Sequence, residues 1–477
     1  MLTDILLANV PVNPKTNIDK NSGYTVVYPE GSVNSAAYPA VQLANALSLT
    51  LSTESAGDSA KEIVIIDENL GKKLTTPTGK YNVKRDGNKI IITAGDMFGF
   101  VGATEFITEK LIKNGTMSFF ETLNYNGTYT GDMRETREGT NRVMFHNIWC
   151  QDPGVSGIGL NRTDENYIKL AKASIEYELA LVAAYQPDVI GFNEYWEGYR
   201  KLTSTVEPTK TELVYRMEQM GYGCVYLDAT GSDEDNILFY NMDTVTFNAG
   251  SERWLSYGAL VKNGDADDQG WYYDSSESGM GALVANFTDK TTGKRFNVCA
   301  THFESNGVLD APQVAPRGNF LRILQGQKLV TFLKEYQKTY ADPIIVGGDY
   351  NSQDSYSAGT YPDGATSEVV SEGDARLTGV CDYLRAQGFV NAYDQAGKTA
   401  QATSCHGYPV WNAALERFVG YNSSLDVSES AYKGSIDHIY VYDTNDVIEE
   451  CDYWNVIDKP VLSASDHKAI LLDFNID

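Results

Sequence analysis

The chain is poor in the features that mark several common kinds of protein. Its six cysteines (Cys150, Cys224, Cys299, Cys381, Cys405 and Cys451) are scattered without C-x-x-C spacing, which excludes zinc-ribbon and thioredoxin-like readings. Their even number permits disulfides without showing any. No uninterrupted apolar run reaches the roughly 18 residues that a membrane-spanning helix needs, and the start, Met1 to Leu7, has neither a basic segment nor an adequate apolar stretch, so no signal peptide is expected in this chain. A G-x-S-x-G elbow, an H-E-x-x-H pair and a G-x-x-x-x-G-K-[ST] loop are all missing, which removes a serine hydrolase, a zincin and a P-loop enzyme.

Positive charge is also scarce. The 38 Lys and Arg face 64 Asp and Glu, a formal charge of −26. Residues 138–477 hold 25 basic against 49 acidic residues, and residues 1–137 hold 13 against 15, so the second part carries nearly all of the imbalance. Such a field repels polyanions, although screening over about 8 Å lets a local basic or metal-bearing cleft act on its own. Long nucleic acid is disfavoured as a partner, not excluded.

At 477 residues, 42% of them apolar, the chain is globular and longer than one core usually organises. Two domains are the first expectation, with one oversized α/β domain as the alternative. The first segment alternates strand and helix signals. They are Tyr24 to Val27, a helical face with Val41, Ala44, Leu47 and Leu51, the strand Glu62 to Ile66, the strand Lys89 to Thr93, and a helical stretch ending near Lys113. The polar tail Asn124 to Asp132 and the charged Arg134 to Glu138 mark a boundary between residues 1–133, a small α/β unit, and residues 138–477.

Beyond the boundary the strands carry polar residues at their ends. Val143 to Trp149 reads as a strand, and Ile168, Ala171, Ile175, Leu179 and Val182 repeat at helical spacing until Pro187. Val189 to Phe192 then delivers Asn193 and Glu194, Phe296 to Ala300 delivers Thr301 and His302, and Ile344 to Val346 delivers Asp349. Ile436 to Val441 surrounds Asp437, and Asp466 with His467 precedes Ala469 to Leu472. The segment Ser256 to Gly281 reads as a long loop. Only five histidines exist, and three of them (His302, His438, His467) fall in these segments.

This collection of carboxylates, amides and imidazoles suits a divalent cation and a phosphate ester. Magnesium prefers about six oxygen ligands and keeps water and substrate phosphate among them, so one or two carboxylates suffice. Glu194 is the first candidate ligand and Asp466 the second, and Asn147 either supplies an amide oxygen or orients the group beside it. Attack on phosphorus develops charge on the nonbridging oxygens, which a protonated imidazole would stabilise. His467 fits that role, with Asp437 accepting from its other ring nitrogen.

The segments Asn147, Pro187 to Glu194, Thr301-His302-Phe303, Gly348-Asp349-Tyr350-Asn351, Ser435 to Ile439 and Ser465-Asp466-His467 together resemble the endonuclease/exonuclease/phosphatase superfamily in order and spacing over about 335 residues. What the resemblance implies is an α+β fold, a four-layer αββα sandwich of the DNase I-like kind following the small α/β unit, with a magnesium-dependent site at the sheet ends and Mn2+ or Ca2+ as alternative metals. By the same resemblance Asp349 takes the proton of the attacking water, Asn351, two residues on and thus on the same strand face, bonds the nucleophile or phosphate, and His302 contacts phosphate or protonates the leaving group. Thr403 to Tyr408 resembles a loop in which His406 approaches the phosphate, with Cys405 where an aromatic is expected. Asn193 stands in place of the usual glutamine, and Ser278 to Gly281 stands where an arginine is expected. Arg253 to Ser256 fits as scaffold.

Each residue also has a plainer reading. Glu194 or Asp349 alone would be a strand-end carboxylate capping a turn, and only the ordered set reverses that. His438 reads as structural. His146, opposite Asn147 by alternation, reads as a packed core histidine. Trp271 and Tyr272, with Tyr273, either stack on a sugar or base or pack on one another.

The amino-terminal unit resembles, in generic shapes from Gly23 to Pro29 and from Ile92 to Ala103, the accessory domain of some carbohydrate-active enzymes, which implies a glycan contact and an extracellular or bacterial cell-surface location. The expected function is hydrolysis of a small, glycan- or lipid-linked phosphate ester. The alternatives are a secreted nuclease and an inactive scaffold whose first domain binds glycan.

Overall fold

The computed structural model describes residues 16–72, 74–131, 133, 140–148, 165–195, 202–225, 235–257, 259–262, 271–274, 280–304, 315–352, 379–398, 403–405, 409–412, 417–421, 432–455, 465 and 467–477. Two sheets meet face to face in the second part of the chain. The first runs Tyr222–Val225, Asp235–Asn241, Val189–Tyr195, Asn141–Asn147, Ile470–Ile476, Ile448–Asn455. The second runs Val245–Phe247, Gly281–Asp289, Arg295–His302, Ile344–Asp349, Asp437–Tyr442, Val390–Asn391, with Arg253–Ser256 also paired to Gly281–Asp289.

Period-two alternation builds the layers. Val143 and Phe145 of the first sheet join Leu283, Val298, Ala300, Ile345 and Ile439 of the second in one buried cluster. Met144, Ile190, Phe192 and Leu471 point the other way, onto Ile175, Leu179 and Val182 of the helix Glu165–Tyr185 and onto Leu213 and Met217 of Glu212–Gln219. The far face of the second sheet (Val284, Val346, Tyr440) is covered by Leu329 and Leu333 of Ala315–Gln337 and Leu384 of Val380–Ala386. The order is therefore helix, sheet, sheet, helix. Phe145 closes the gap between the sheets where Gly191 and Gly347 face it; a Cβ on Gly347 would sit 2.4 Å from its ring, so the close approach requires glycine there.

The first part of the chain forms its own six-stranded sheet, in the order Thr50–Ser52, Thr25–Val27, Glu62–Asp67, Lys89–Ala94, Lys80–Asp86, Asn124–Thr128. It docks on the outer helices of the first sheet, where Phe98 meets Tyr185 edge-on at 5.7 Å and Arg216 Nη2 donates to the Gly31 carbonyl at 2.7 Å. Among the described residues no helix is long and apolar enough to cross a membrane.

Three local expectations change, and one helix was not foreseen. The helix Ala37–Leu47 stops before Leu51, because Ser48 turns left-handed (φ 54°) and its N–H closes on Ala44 and Asn45; Leu51 lies on the next strand. Asn124–Thr128 is an edge strand and not a tail, its pairing to Lys80–Asp86 being a long-range contact that local polarity conceals. Within Ser256 to Gly281, Ala259–Lys262 and Trp271–Asp274 pair antiparallel. Ala315–Gln337, rich in Lys, Arg and Gln, is a helix that the apolar spacing does not announce.

Candidate active site

Register alone brings three of the expected residues into one row. His302 pairs with Asp349 across parallel strands, and Asp349 pairs with Asp437 across antiparallel ones, so these side chains leave the second sheet at one level and one edge. On the first sheet Asn147 pairs with Asn193 at the matching edge. Simple alternation would turn Glu194 away from Asn193 and towards the helices. A bulge prevents this: the pairing of Val189–Tyr195 with Asp235–Asn241 slips between Phe192 and Tyr195, and Glu194 takes φ 55°.

The side chains then converge. Asn147 Nδ2 donates to Glu194 Oε1 at 2.8 Å and to Asp349 Oδ2 at 3.0 Å. The Asn147 amide nitrogen is thus turned to both carboxylates. His302 Nε2 lies 3.7 Å from Glu194 Oε1 and 3.6 Å from Asp349 Oδ2. His467 Nε2 lies 3.6 Å from Asp349 Oδ2, and its Nδ1 faces Asp437 Oδ2 at 2.9 Å. Asn351 reaches the cluster by a route that strand alternation does not supply. The strand ends at Asp349, and Asn351 at φ 46° folds back so that its N–H donates to Asp349 Oδ1 (2.7 Å) and its Nδ2 to Asp349 Oδ2 (3.1 Å) and the Phe303 carbonyl (2.9 Å).

Burial and neighbours set the acidity. Burial lifts the Asp349 carboxyl above the usual carboxylate range, with the His467 and His302 imidazoles opposing and the Asp437 charge adding to the lift. Asp437 is equally buried, but His467 and the Thr403 hydroxyl outweigh that and hold it below the usual range. An imidazole clamped by an ionised carboxylate is thus set beside a carboxylate that is readier to take a proton.

Glu194, His302 and Asp349 can each turn a ligand atom to within 4.8 Å of the others, as can Asp349, Asp437 and His467. Two carboxylates held on a single amide, with imidazoles beside them, are a donor set that fits a hard divalent cation. Asp466 and His406 lie outside the described residues. Trp271 and Tyr272 are placed on a strand, opposite Lys262 and Val261, and the structure does not describe their side chains. His438 turns from the cluster and contacts the Ser352 carbonyl at 2.8 Å.

The bonds made by several supporting residues were not foreseen in the sequence reading. Asn193 ties the sheets together, accepting from the Asp349 N–H (3.0 Å) and donating to the Thr301 carbonyl (3.0 Å) and Asn236 Oδ1 (2.5 Å). Thr403 accepts from the N–H groups of Ile436 (3.2 Å) and Asp437 (3.1 Å), while its carbonyl accepts from Lys468 (2.7 Å), so one residue steadies both members of the Asp437–His467 pair. Its signal was present in the Thr403 to Tyr408 motif, where His406 drew the attention. Ser465 Oγ donates to the Asn147 carbonyl at 2.5 Å.

Gly348 sits under this network at φ 136°, and a Cβ there would lie 2.1 Å from the Thr301 carbonyl oxygen and 2.5 Å from Asn193 Oδ1. Gly348→Ala is expected to cost about 2–3 kcal/mol through strain and overpacking, read as a lowered urea midpoint. An unchanged midpoint would show that the Asn193 clip yields freely.

No protein-family model and no curated protein matches the chain. Solved structures similar to it include an endonuclease/exonuclease/phosphatase family protein of Bacteroides thetaiotaomicron, 14% identical, covering 71% of this chain and 95% of that one at a TM-score of 0.41. A mannosyl-6-phosphatase of the same organism is 14% identical over 70% and 99% at 0.40, and the human Nocturnin catalytic domain, with bound sulfate, is 15% identical over 72% and 95% at 0.37. By its own layer order, with the expected segments gathered at one edge of the paired sheets, the second part of the chain has the four-layer αββα sandwich of the DNase I-like kind.

Proposed function

We propose that the protein hydrolyses phosphate esters with a divalent cation, magnesium first and Mn2+ or Ca2+ as alternatives, through residues 138–477, with residues 1–133 as an accessory unit. One observation carries the reading. Residues from the two sheets, more than 300 positions apart between Asn147 and His467, meet around Asp349 as amide, carboxylate and imidazole within hydrogen-bonding or ion-pair reach of one another. Glu194 would hold the cation, with Asp466 as a further candidate, and the cation when bound would polarise the phosphate and lower the pKa of water.

The chain's own groups supply the rest. Asp349 Oδ2 takes the proton of the attacking water, and Asn351 and Asn147 hold that carboxylate in one orientation. His467, kept as a donor towards the reacting side by Asp437 at Nδ1, stabilises the nonbridging oxygens. His302 stands on the other side of Asp349 Oδ2 and serves the phosphate or the leaving group. The acidic field over residues 138–477 favours a small, glycan- or lipid-linked phosphate over long nucleic acid.

The test is hydrolysis of bis-p-nitrophenyl phosphate, p-nitrophenyl phosphate, a sugar phosphate, sphingomyelin and DNA, with and without EDTA. Magnesium-dependent turnover of at least one of them is expected, and turnover indifferent to EDTA or absent from all of them would overturn the reading. Glu194→Gln should raise the magnesium concentration for half-maximal activity by about tenfold or more while leaving saturating activity less affected. An unshifted metal curve would remove Glu194 from the ligand set.

A further inference from the structure

Behind Asn147 the same strand carries His146, which alternation points away from the site and into the helix layer. There it is almost fully buried, at 1% exposure. Its two ring nitrogens have different partners. Nδ1 lies 2.8 Å from Oε2 of Glu178 on the helix Glu165–Tyr185, a carboxylate with no exposure at all, and Nε2 lies 3.2 Å from the backbone carbonyl oxygen of His467. A carbonyl can only accept, so the hydrogen bond to it needs the proton on Nε2, while Nδ1 faces the Glu178 carboxylate. Burying a carboxylate and an imidazole behind a sheet is costly unless each is fully matched, and Glu178 Oε1 has no hydrogen-bond partner among the described residues, whereas a Leu–Leu pair of similar size would pack there without that cost. What the polar pair adds is a directed contact to His467, the residue whose ring faces Asp349 and Asp437.

The His467 segment precedes Ile470–Ile476, and the contacts that hold it include Ser465 Oγ accepting from the His467 N–H (3.1 Å), the Lys468 N–H on the Thr403 carbonyl (2.7 Å), and His146 on the His467 carbonyl. The N–H and the C=O of one residue are thus each taken by a side chain, the C=O by one rooted in the helix layer. We propose that His146 and Glu178 are positioning residues that set the place of the His467 imidazole from behind the sheet, a role that rests on the reading of His467 as a phosphate-stabilising group. Neither touches the substrate; both act through the His467 backbone.

The experiment compares His146→Asn with His146→Gln. The asparagine amide occupies the place of Nδ1, so it still pairs with Glu178 but falls short of His467; the glutamine amide reaches the place of Nε2 and keeps a donor on the carbonyl. Two readouts are taken, steady-state kinetics on the substrate found for the wild type and the ring carbon–proton NMR signals of His467, assigned by their loss in His467→Gln. With His146→Asn, kcat should fall by about tenfold or more from misplacement of a reacting group, KM should stay within about threefold because ground-state binding is kept, and the His467 signals should shift or broaden. With His146→Gln, which keeps a donor on the His467 carbonyl but gives up the Glu178 contact, both readouts should lie closer to wild type than with His146→Asn.

Should either single variant fail to fold, the apolar pair His146→Leu with Glu178→Leu takes its place, since replacing both partners of a buried pair is often neutral for stability. It is expected to move the His467 signals as asparagine does. Equal behaviour of the asparagine and glutamine variants, or His467 signals unmoved in the asparagine or double-leucine protein, overturns the proposal. A wild type that hydrolyses nothing overturns the phosphoesterase reading instead, and the NMR comparison still decides whether His146 places His467.

Discussion

Asp349→Asn is expected to lower kcat on a phosphate ester by at least about a hundredfold, the usual loss when an acid–base group is removed. The substitution is nearly isosteric. Its remaining carbonyl oxygen can still accept from the Asn351 N–H, and the Asp349 N–H still reaches Asn193. Burial disfavours the charge that the substitution removes, so the fold should survive and the melting temperature should change little. His467→Ala serves as the paired control, with a similar loss expected from the missing charge stabiliser. Metal titration separates the two roles open to Asp349. If it serves only as a ligand, raising magnesium should restore Asp349→Asn; if it takes the proton of water, no metal concentration will. Wild-type turnover in both variants would remove the site assignment altogether.

How far the site could be read in the chain follows from what kind of contact places each residue. His302, Asp349 and Asp437 each stand at the end of an apolar run, and strand ends are legible from local pattern. That their three strands are neighbours, with these residues in register, depends on pairings separated by up to about a hundred residues, which no local window contains. Alternation read His146 correctly as facing away from Asn147, and it put Asn351 beside Asp349 for the wrong reason, since the chain leaves the strand and turns left-handed there. For Glu194 alternation would have given the opposite face, and the bulge that turns it back is a tertiary event with no residue signature at that position. The supporting bonds of Asn193, Thr403 and Ser465 were invisible for a simpler reason: amides and hydroxyls are common everywhere, and only the fold decides which of them meet a buried N–H or C=O. The layer order was legible through the resemblance and through hydrophobic alternation, whereas the helix Ala315–Gln337 was not, its apolar residues being diluted by Lys, Arg and Gln.

The opposite end of the strand Asn141–Asn147 carries the largest stability effect expected. Arg142 is 1% exposed, and its guanidinium meets Asp473 with two bonds, Nε to Oδ1 at 2.8 Å and Nη2 to Oδ2 at 3.1 Å, while Nη1 donates to the Tyr185 carbonyl at 2.6 Å. It thereby joins the strand to Ile470–Ile476 and to the end of the helix Glu165–Tyr185, and its own N–H donates to Asp188 Oδ2 at 2.7 Å. Arg142→Met keeps most of the volume but strands the Asp473 carboxylate and the Tyr185 carbonyl, and should cost about 3–5 kcal/mol, the usual size for breaking one side of a buried ion pair. Adding Asp473→Leu should recover a large part of that loss, because both charges are then gone. The candidate active site lies at the other end of the strand, so the folded fraction of Arg142→Met should keep a kcat within about twofold of wild type, as separated sites act independently. A drop in kcat comparable with that of Asp349→Asn, at a temperature where the protein remains folded by circular dichroism, would show that strain at this end reaches Asn147 and Glu194, and that the two ends of the strand do not move independently.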